Sequence, residues 1–387
     1  MEASTQKHCR LCGRSFFAGP LLRYENMPNA AQFLPDAASL HSDKGGDLEV
    51  FQCSGCGLVQ LGRQPVPYYR EVIRASAFSR EMLEFRIRQF KDFVHSYSLK
   101  GKKVIEIGCG RGEYLTLMLQ CGVNAYGLEY SQESVKFCTG KGLQVTQGFI
   151  EHDTYKLNYA PFEAFFILNF LEHLPDLNAA LRGIWNNLND DAVGMVEVPN
   201  FDMIVRKRLF SEFIGDHLFY FTRETLVNTL HINGFEIIES SEVWHDYIIS
   251  AIVRKRPKID LSPFHLLQMQ LKDELEKYIC RFGEKKVAIW GAGHQALAVM
   301  ALTNMGSSIK YVVDSASFKQ GKFTPATHLP IVSPDMLDVD PVDAVIVMAA
   351  SYSDEVVDII RQKYSIELNI AILRDTGLEE VRPGMSR

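Results

Sequence analysis

The sequence predicts an α/β protein with a Rossmann-like core, a small zinc-binding domain before it and a second Rossmann-like domain after it. Three observations predict this. In VIEIGCGRGEYL, residues 104–115, a buried strand runs into a glycine-rich turn and then a helix. In KKVAIWGAGHQALAVMAL, residues 285–302, the same order of strand, glycine turn and helix returns. Ahead of both stand two CxxC pairs, CRLC and CSGC, each followed directly by glycine.

The 387 residues suffice for two or three domains. Hydrophobic residues make 47% and charged residues 23%, so sizeable cores can form. No apolar stretch approaches the roughly 18 residues of a membrane span, and MEASTQKHCRLC lacks the apolar core of a signal peptide. The expected location is the cytoplasm, without a membrane partner. A net charge of −6 argues against a nucleic-acid partner, which would call for a basic stripe. The short cluster Arg206, Lys207 and Arg208 reads as a solvated helix end or as a contact for an anionic substrate.

Residues 1–65 form the predicted zinc-binding domain. A two-residue gap lets both thiolates of a pair point at one tetrahedral ion, so Cys9, Cys12, Cys53 and Cys56 are the expected ligands of a structural Zn2+. About 40 residues separate the pairs, more than in a finger, which predicts a small subdomain between them. His8 and His41 are nearby, but four thiolates already fill the site. A disulfide reading conflicts with a reducing compartment. Cys109, Cys121, Cys138 and Cys280 are scattered and read as small buried hydrophobes.

Residues 66–256 form the predicted central domain. After the proline-rich QPVPYY, the segment SREMLEFRIRQFKDFV spaces Met82, Phe85, Ile87, Phe90 and Phe93 close to a helical period behind Ser79 as N-cap. Strands follow at 103–107 and 124–129, with a short run at 143–146. AFFILNFLEHL, 164–174, is an apolar strand that turns polar at Asn169, Glu172 and His173, and GMVEVPN, 194–200, also ends polar. Ligands of open α/β sheets bind at the carboxyl ends of strands, so these changes mark the expected site. TRETLVNTLHINGF, 222–235, reads as a helix capped by Thr222 and stopped by Gly234. IIESSEVW and YIISAIVRK supply closing antiparallel strands, with His245 on a strand.

Residues 257–387 comprise a linker helix, 264–281, and the second Rossmann-like domain, with strands at YVVDS and VDAVIVMAAS. GAGHQA departs from GxGxxG only in its last position, where alanine is allowed. Its glycines serve either a bound nucleotide or close packing of strand and helix.

The first glycine turn is more specific. Glu106 precedes Gly108, and Glu129 ends the next apolar run. In Rossmann-type sites the glycines let backbone approach a ligand, and an acid about 20 residues on binds ribose hydroxyls. ExGxGxG followed by an acid resembles the S-adenosylmethionine (AdoMet) site of a class I methyltransferase. The resemblance implies that Gly108, Gly110 and Gly112 face the methionine and ribose part, Glu106 the amino end, and Glu129 the ribose hydroxyls; Asn169 joins the cofactor side. The contrary reading is a nucleotide-type fold whose site has decayed. A sulfonium methyl donor asks the protein to place a nucleophile and remove its proton. His173 and His217 lie in loops expected at the cofactor end of the sheet, and histidine exchanges protons near neutral pH. His245 is a third candidate.

Over nearly its whole length the chain is similar to the sugar C-methyltransferases that act on nucleotide-linked 4-keto-deoxysugars. CRLCG, CSGCGLVQL, NFLEHLPDL, VEVPN, DHLFYF, GAGHQAL and FKQGKFTPATHLPI carry the likeness. It implies that a base removes the proton alpha to the sugar ketone and that the enolate carbon attacks the methyl group. It makes His217 the base, His173 and Asp216 orienting or stabilising groups, and Tyr68 or Tyr69 a substrate contact, with Tyr220 and His245 on the substrate side. The chain departs from the family where Asp216 replaces a glutamate, Ile214 a tyrosine, His245–Ser250 an HGGSLR-like segment, and VIRASAFS an aromatic, serine-rich segment. Methylation of oxygen or nitrogen on a related sugar or small metabolite, and a module that holds AdoMet or a nucleotide without turnover, are the competing readings.

Overall fold

In a computed structural model of the protein, the described residues are 6–29, 31–32, 34–71, 79–364 and 368–381. Residues 72–78 of the VIRASAFS segment therefore lie outside the described residues. The chain divides into two compact units, Met1–Lys258 and Ile259–Arg387.

The first unit begins with β1 (Leu22–Met27), β2 (Gly46–Gln52) and β3 (Val59–Leu61), paired antiparallel in that order. The glycine after each CxxC has left-handed backbone, with φ +73° at Gly13 and +76° at Gly57. That conformation suits glycine because it carries no Cβ. Main-chain bonds from Cys9 N–H to the Arg14 carbonyl and from Cys53 N–H to the Leu58 carbonyl close the two turns.

Helix α1 (Arg80–Ser96) starts where Ser79 accepts the Met82 N–H at 3.1 Å, and it buries Phe90, Phe93 and Val94. There follow β4 (Lys103–Ile107), α2 (Glu113–Gln120), β5 (Asn124–Glu129), α3 (Gln132–Gly140), β6 (Gln144–Gln147), β7 (Phe162–Leu168) and α4 (Leu177–Trp185). Asp176 caps α4 through the Ala179 N–H. The unit closes with β8 (Leu188–Pro199), α5 (Phe201–Lys207), β9 (Phe219–Tyr220), α6 (Arg223–Ile232), β10 (Phe235–Val243) and β11 (Ile248–Lys255). Thr222 and Thr225 form a capping box on α6, and Gly234, at φ +89°, stops it.

Seven strands form one sheet in the order β10-β11-β8-β7-β4-β5-β6. The five from β8 to β6 are parallel, and β10 and β11 run antiparallel. Because both faces are covered, β7 is buried at every position except Glu163, as parallel strands usually are. The chain reverses direction across the sheet between β4 and β7, which opens a ligand crevice at their carboxyl ends. A second sheet, β1-β2-β3-β9, takes its last strand from the segment that follows His217.

One expectation fails here. His245 is not on a strand: β10 ends at Val243, and Trp244, His245 and Asp246 all have positive φ, 51°, 55° and 65°. The hairpin must reverse at this point, and Asn200 pins the reversal by donating Nδ2 to the Asp246 carbonyl at 2.7 Å and its N–H to the Tyr247 carbonyl.

The second unit holds α7 (Ser262–Cys280), β12 (Val287–Trp290), α8 (His294–Thr303), β13 (Ile309–Val313), β14 (Ile331–Val332), α9 (Met336–Val339), β15 (Ala344–Val347), α10 (Ser353–Lys363), β16 (Asn369–Arg374) and β17 (Gly377–Val381). Its sheet runs β14-β13-β12-β15-β16-β17, parallel except for β17. At Gly291 the strand passes so near β15 that a Cβ would lie 2.6 Å from the Met348 carbonyl oxygen. Asp314 accepts the Ala292 N–H and the Lys319 ammonium, each at 2.8 Å.

Arg86 of α1 and Glu197 of β8 form a fully buried ion pair, and Gln89 also donates to Glu197. Burying two charges is expensive unless each satisfies the other. Arg86→Met alone should destabilise the protein by about 3–5 kcal/mol in urea unfolding. The double change Arg86→Met with Glu197→Leu should return most of that, and a double variant as unstable as the single one would refute the pairing.

Candidate active site

The glycine turn after β4 is shaped by its neighbours. Gly108, Gly110 and Gly112 all have positive φ. A Cβ on Gly108 would sit 2.7 Å from the Phe170 ring, and one on Gly112 2.4 Å from Leu143. Glu129, at the end of β5, accepts the Gly110 N–H through one oxygen and the Ser131 N–H through the other, each at 2.8 Å. The acid therefore stands at the mouth of the turn with its charge already partly neutralised. Glu106 is fully buried beneath the turn, and Asn169, directly after β7, has φ 50° and its N–H on the Glu197 carbonyl.

A cleft opens beside this turn, lined by Arg70, Gly108, Glu129, Tyr130, Phe149 and Phe170 among others. Phe149 meets Tyr69, Tyr130 and Phe170 edge to face. The Arg70 guanidinium lies over Tyr69, Tyr130 and Phe149 and pairs with Glu151. An acid at the strand end and flat apolar walls suit the ribose and adenine of AdoMet. Tyr69 packs against Phe149 and Arg70, two of the residues that line this cleft. Arg70, Tyr130 and Phe149 were not singled out by the sequence, although Tyr130 directly follows the acid and Phe149 lies just after the third parallel strand.

The histidines meet at the ends of β7 and the loop before β9. Their rings are 4.8 Å apart and nearly perpendicular. His173 is 5% exposed, and its Nδ1 donates to the Asp216 carbonyl at 2.8 Å, which leaves Nε2 unprotonated in the neutral ring. That Nε2 lies 3.8 Å from Glu172, also buried. Burial pushes the His173 pKa down to about 4 and, with His173 alongside, the His217 pKa down to about 3. Both imidazoles are thus neutral at physiological pH. Among the described residues, the His217 ring nitrogens have no hydrogen-bond partner.

Asp216 does not orient His217 through its carboxylate. Tyr68 donates its hydroxyl to both Asp216 oxygens at 2.9 Å, and the Ala31 N–H adds a third contact. Burial and then this carboxylate raise the Tyr68 pKa. Asp216 instead fixes His173 through its main chain. Tyr220 is buried, 6.3 Å from the His217 ring, with its hydroxyl on the Ile214 main chain. His245 lies apart from this group, mostly exposed, with its Nε2 2.9 Å from Glu81 and its ring against Trp244.

The four paired cysteines converge. Cys9 and Cys56 sulfurs are 3.6 Å apart, Cys12 and Cys53 sulfurs 3.4 Å, and all four lie within 4.8 Å of one another. Thiolates about 2.3 Å from a tetrahedral ion stand about 3.8 Å from each other, so the set fits Zn2+. Main-chain N–H groups of Leu11, Gly55 and Cys56 point at these sulfurs. His8 and His41 are outside the group.

Residues 82–240 match the family described as a methyltransferase domain, and residues 263–370 match the C-methyltransferase C-terminal domain. The chain is 22% identical to the C-methyltransferase NovU of Streptomyces niveus, over 90% of this chain and 91% of that protein. Similar solved structures include an S-adenosylmethionine-dependent methyltransferase from Clostridium acetobutylicum ATCC 824, at 12% identity and TM-score 0.37, covering 49% of this chain and 96% of that one. The PH0226 protein from Pyrococcus horikoshii OT3 is similar at 13% identity and TM-score 0.40, covering 49% of this chain and 98% of that one. No helix among the described residues is long and apolar enough to cross a membrane.

The depressed His173 pKa has a consequence for stability. Below pH 6.5 the unfolded chain takes up a proton that folded His173 refuses until about pH 4. Its contribution is complete above pH 6.5 and is lost as pH falls through that window, by ~3 kcal/mol in all. In urea unfolding, His173→Asn should show a flatter decline between pH 6.5 and 4 than the wild type. Equal slopes would mean that His173 is not held neutral.

Proposed function

We propose, from the premise that this chain is an AdoMet-dependent methyltransferase belonging to the C-methyltransferase family, that it methylates a ring carbon of a nucleotide-linked keto-deoxysugar. The observation that carries the reading is His217: a neutral imidazole without a hydrogen-bond partner among the described residues, set against a histidine whose tautomer is fixed. AdoMet supplies, when bound, a methyl group on a positively charged sulfur. Glu129 would hold its ribose hydroxyls, Glu106 its amino end, Gly108, Gly110 and Gly112 the approach of its methionine and ribose part, with Asn169 beside them.

His217 removes the proton on the carbon next to the sugar ketone. The electron pair of that C–H bond would become the enolate, a carbon nucleophile for the methyl group that bound AdoMet would supply from its sulfonium. Burial keeps the imidazole neutral and able to accept, and the enolate formed beside the new imidazolium offsets the weaker basicity that the same burial imposes. That imidazolium stands near the Glu172 carboxylate, whose oxygen lies within 4.8 Å of the ligand atoms of both histidines. His173, held by the Asp216 carbonyl, presents its Nε2 lone pair to the same charge. Tyr68, Tyr69 and Tyr220 are the aromatic groups we assign to the sugar's surroundings, Tyr68 through its contact with Asp216. The C-methyltransferase relative, aligned over most of both chains, supports carbon as the acceptor atom.

We assign structural Zn2+ to Cys9, Cys12, Cys53 and Cys56, and we place the enzyme in the cytoplasm, where free thiolates stay reduced.

His217→Ala should lower methyl transfer by at least about a hundredfold while AdoMet affinity stays nearly unchanged. Normal turnover in that variant would refute the base, and a product methyl on a hydroxyl oxygen would refute carbon methylation. Metal analysis should find about one zinc per chain. The zinc should survive Cys109→Ser and be lost in Cys53→Ser; retention in the latter would remove Cys53 from the ligand set.

A further inference from the structure

Gln60 is a fully buried glutamine on a strand, and a buried amide persists only where its polar atoms are bonded. Both of its ends grip the first cysteine pair. Its Oε1 accepts the Arg10 N–H at 3.1 Å, and its Nε2 donates to the Cys9 sulfur at 3.2 Å. Its backbone meanwhile lies in β3 opposite Phe219 of β9. The next residue, Leu61, donates its N–H to the Leu218 carbonyl at 2.9 Å. Leu218 in turn donates its own N–H to the Glu172 carbonyl at 2.9 Å. His217 sits between Leu218 and Asp216, and the Asp216 side chain is held by Ala31 and Tyr68. A short hydrogen-bonded route therefore runs from one thiolate to the main chain that carries the imidazole.

We propose that Gln60 is a positioning residue that ties the geometry of the four-cysteine centre to the placement of the His217 ring. This rests on reading the four cysteines as a metal centre. The amide donor stabilises the Cys9 thiolate from outside the ligand set, as outer partners of metal ligands commonly do. The same side chain fixes the height of β3 against the cysteine turn, and β3 sets where β9 and the residues just before it lie. The AdoMet cleft belongs to the seven-stranded sheet and does not depend on this route.

Two variants test the proposal in the full chain. Gln60→Glu keeps the shape and replaces the donor by a carboxylate facing the thiolate; Gln60→Met keeps the volume and removes both polar ends. Three quantities are read: zinc loss to a chromogenic chelator, the His217 ring signals in a histidine-labelled NMR spectrum assigned with His217→Ala, and affinity for S-adenosylhomocysteine. The expected result is zinc affinity lower by about tenfold to a hundredfold, displaced or broadened His217 signals, and unchanged S-adenosylhomocysteine affinity, which also certifies the fold. Faster zinc loss with His217 signals at their wild-type positions would confine Gln60 to the metal and overturn the proposal. Unchanged zinc retention in both variants would overturn it as well. A wild-type chain without metal would instead overturn the metal reading and this inference together, and metal content of the wild type is therefore measured first.

Discussion

The main chain from Asp216 to Leu218 satisfies two frameworks at once. On one side, the Asp216 carbonyl receives His173 and the Leu218 N–H reaches the Glu172 carbonyl, so the segment is stitched to the end of β7. On the other side, the Leu218 carbonyl receives Leu61, and the Asp216 carboxylate receives Tyr68 and Ala31, all from the chain ahead of α1. Asp216 and Leu218, the neighbours of His217, are thus each bonded to both sides. The main chain on both sides of His217 is thereby fixed, which is the preorganisation that the proposed role of its ring calls for, since small misplacements of a reacting group are costly.

Desolvation gives the site its chemical character. Burial of His173, and burial together with that neighbouring ring for the half-buried His217, leaves both imidazoles neutral. In bulk water a histidine would be half charged near pH 6.5 and a weaker acceptor below it. Here both rings stay uncharged well below that pH, with Glu172 3.8 Å from His173. Elsewhere in the same unit, Arg86 and Glu197 neutralise each other, so neither buried charge is left alone. Glu129 and Asp314 show a second economy of design: each accepts a main-chain N–H from the glycine turn of its own unit.

Much of this was legible in the sequence because it depends on local pattern. The capping residues Ser79 and Thr222, the stop at Gly234 and the apolar run of β7 express rules that operate within one turn or one strand. The cysteine turns follow from the glycines at 13 and 57, whose left-handed backbone a side chain would oppose. What escaped is long-range. Gln60 looks like any polar strand residue until β9 covers it, and Arg70 has no local signal that it will lie over Tyr130 and Phe149. Asp216 and His217 are adjacent in sequence, yet the carboxylate turns to Tyr68, because partners supplied from distant residues decide side-chain direction in a loop. His245 failed differently: the alternating pattern continued past Val243, but Asn200 forces the chain to reverse there.

The pairing of β3 with β9 also has a bearing on how the chain is made. Val59 finds Tyr220 only after all of β4 to β8 has been synthesised between them. Until then the cysteine turns can close while β3 remains an open strand edge, the kind of surface that recruits other chains. Only three residues long, β3 offers little to recruit with. The strand that finally covers it begins two residues after His217. Covering the β3 edge and fixing the segment that holds His217 therefore depend on one pairing, and a chain stopped before residue 219 would lack both.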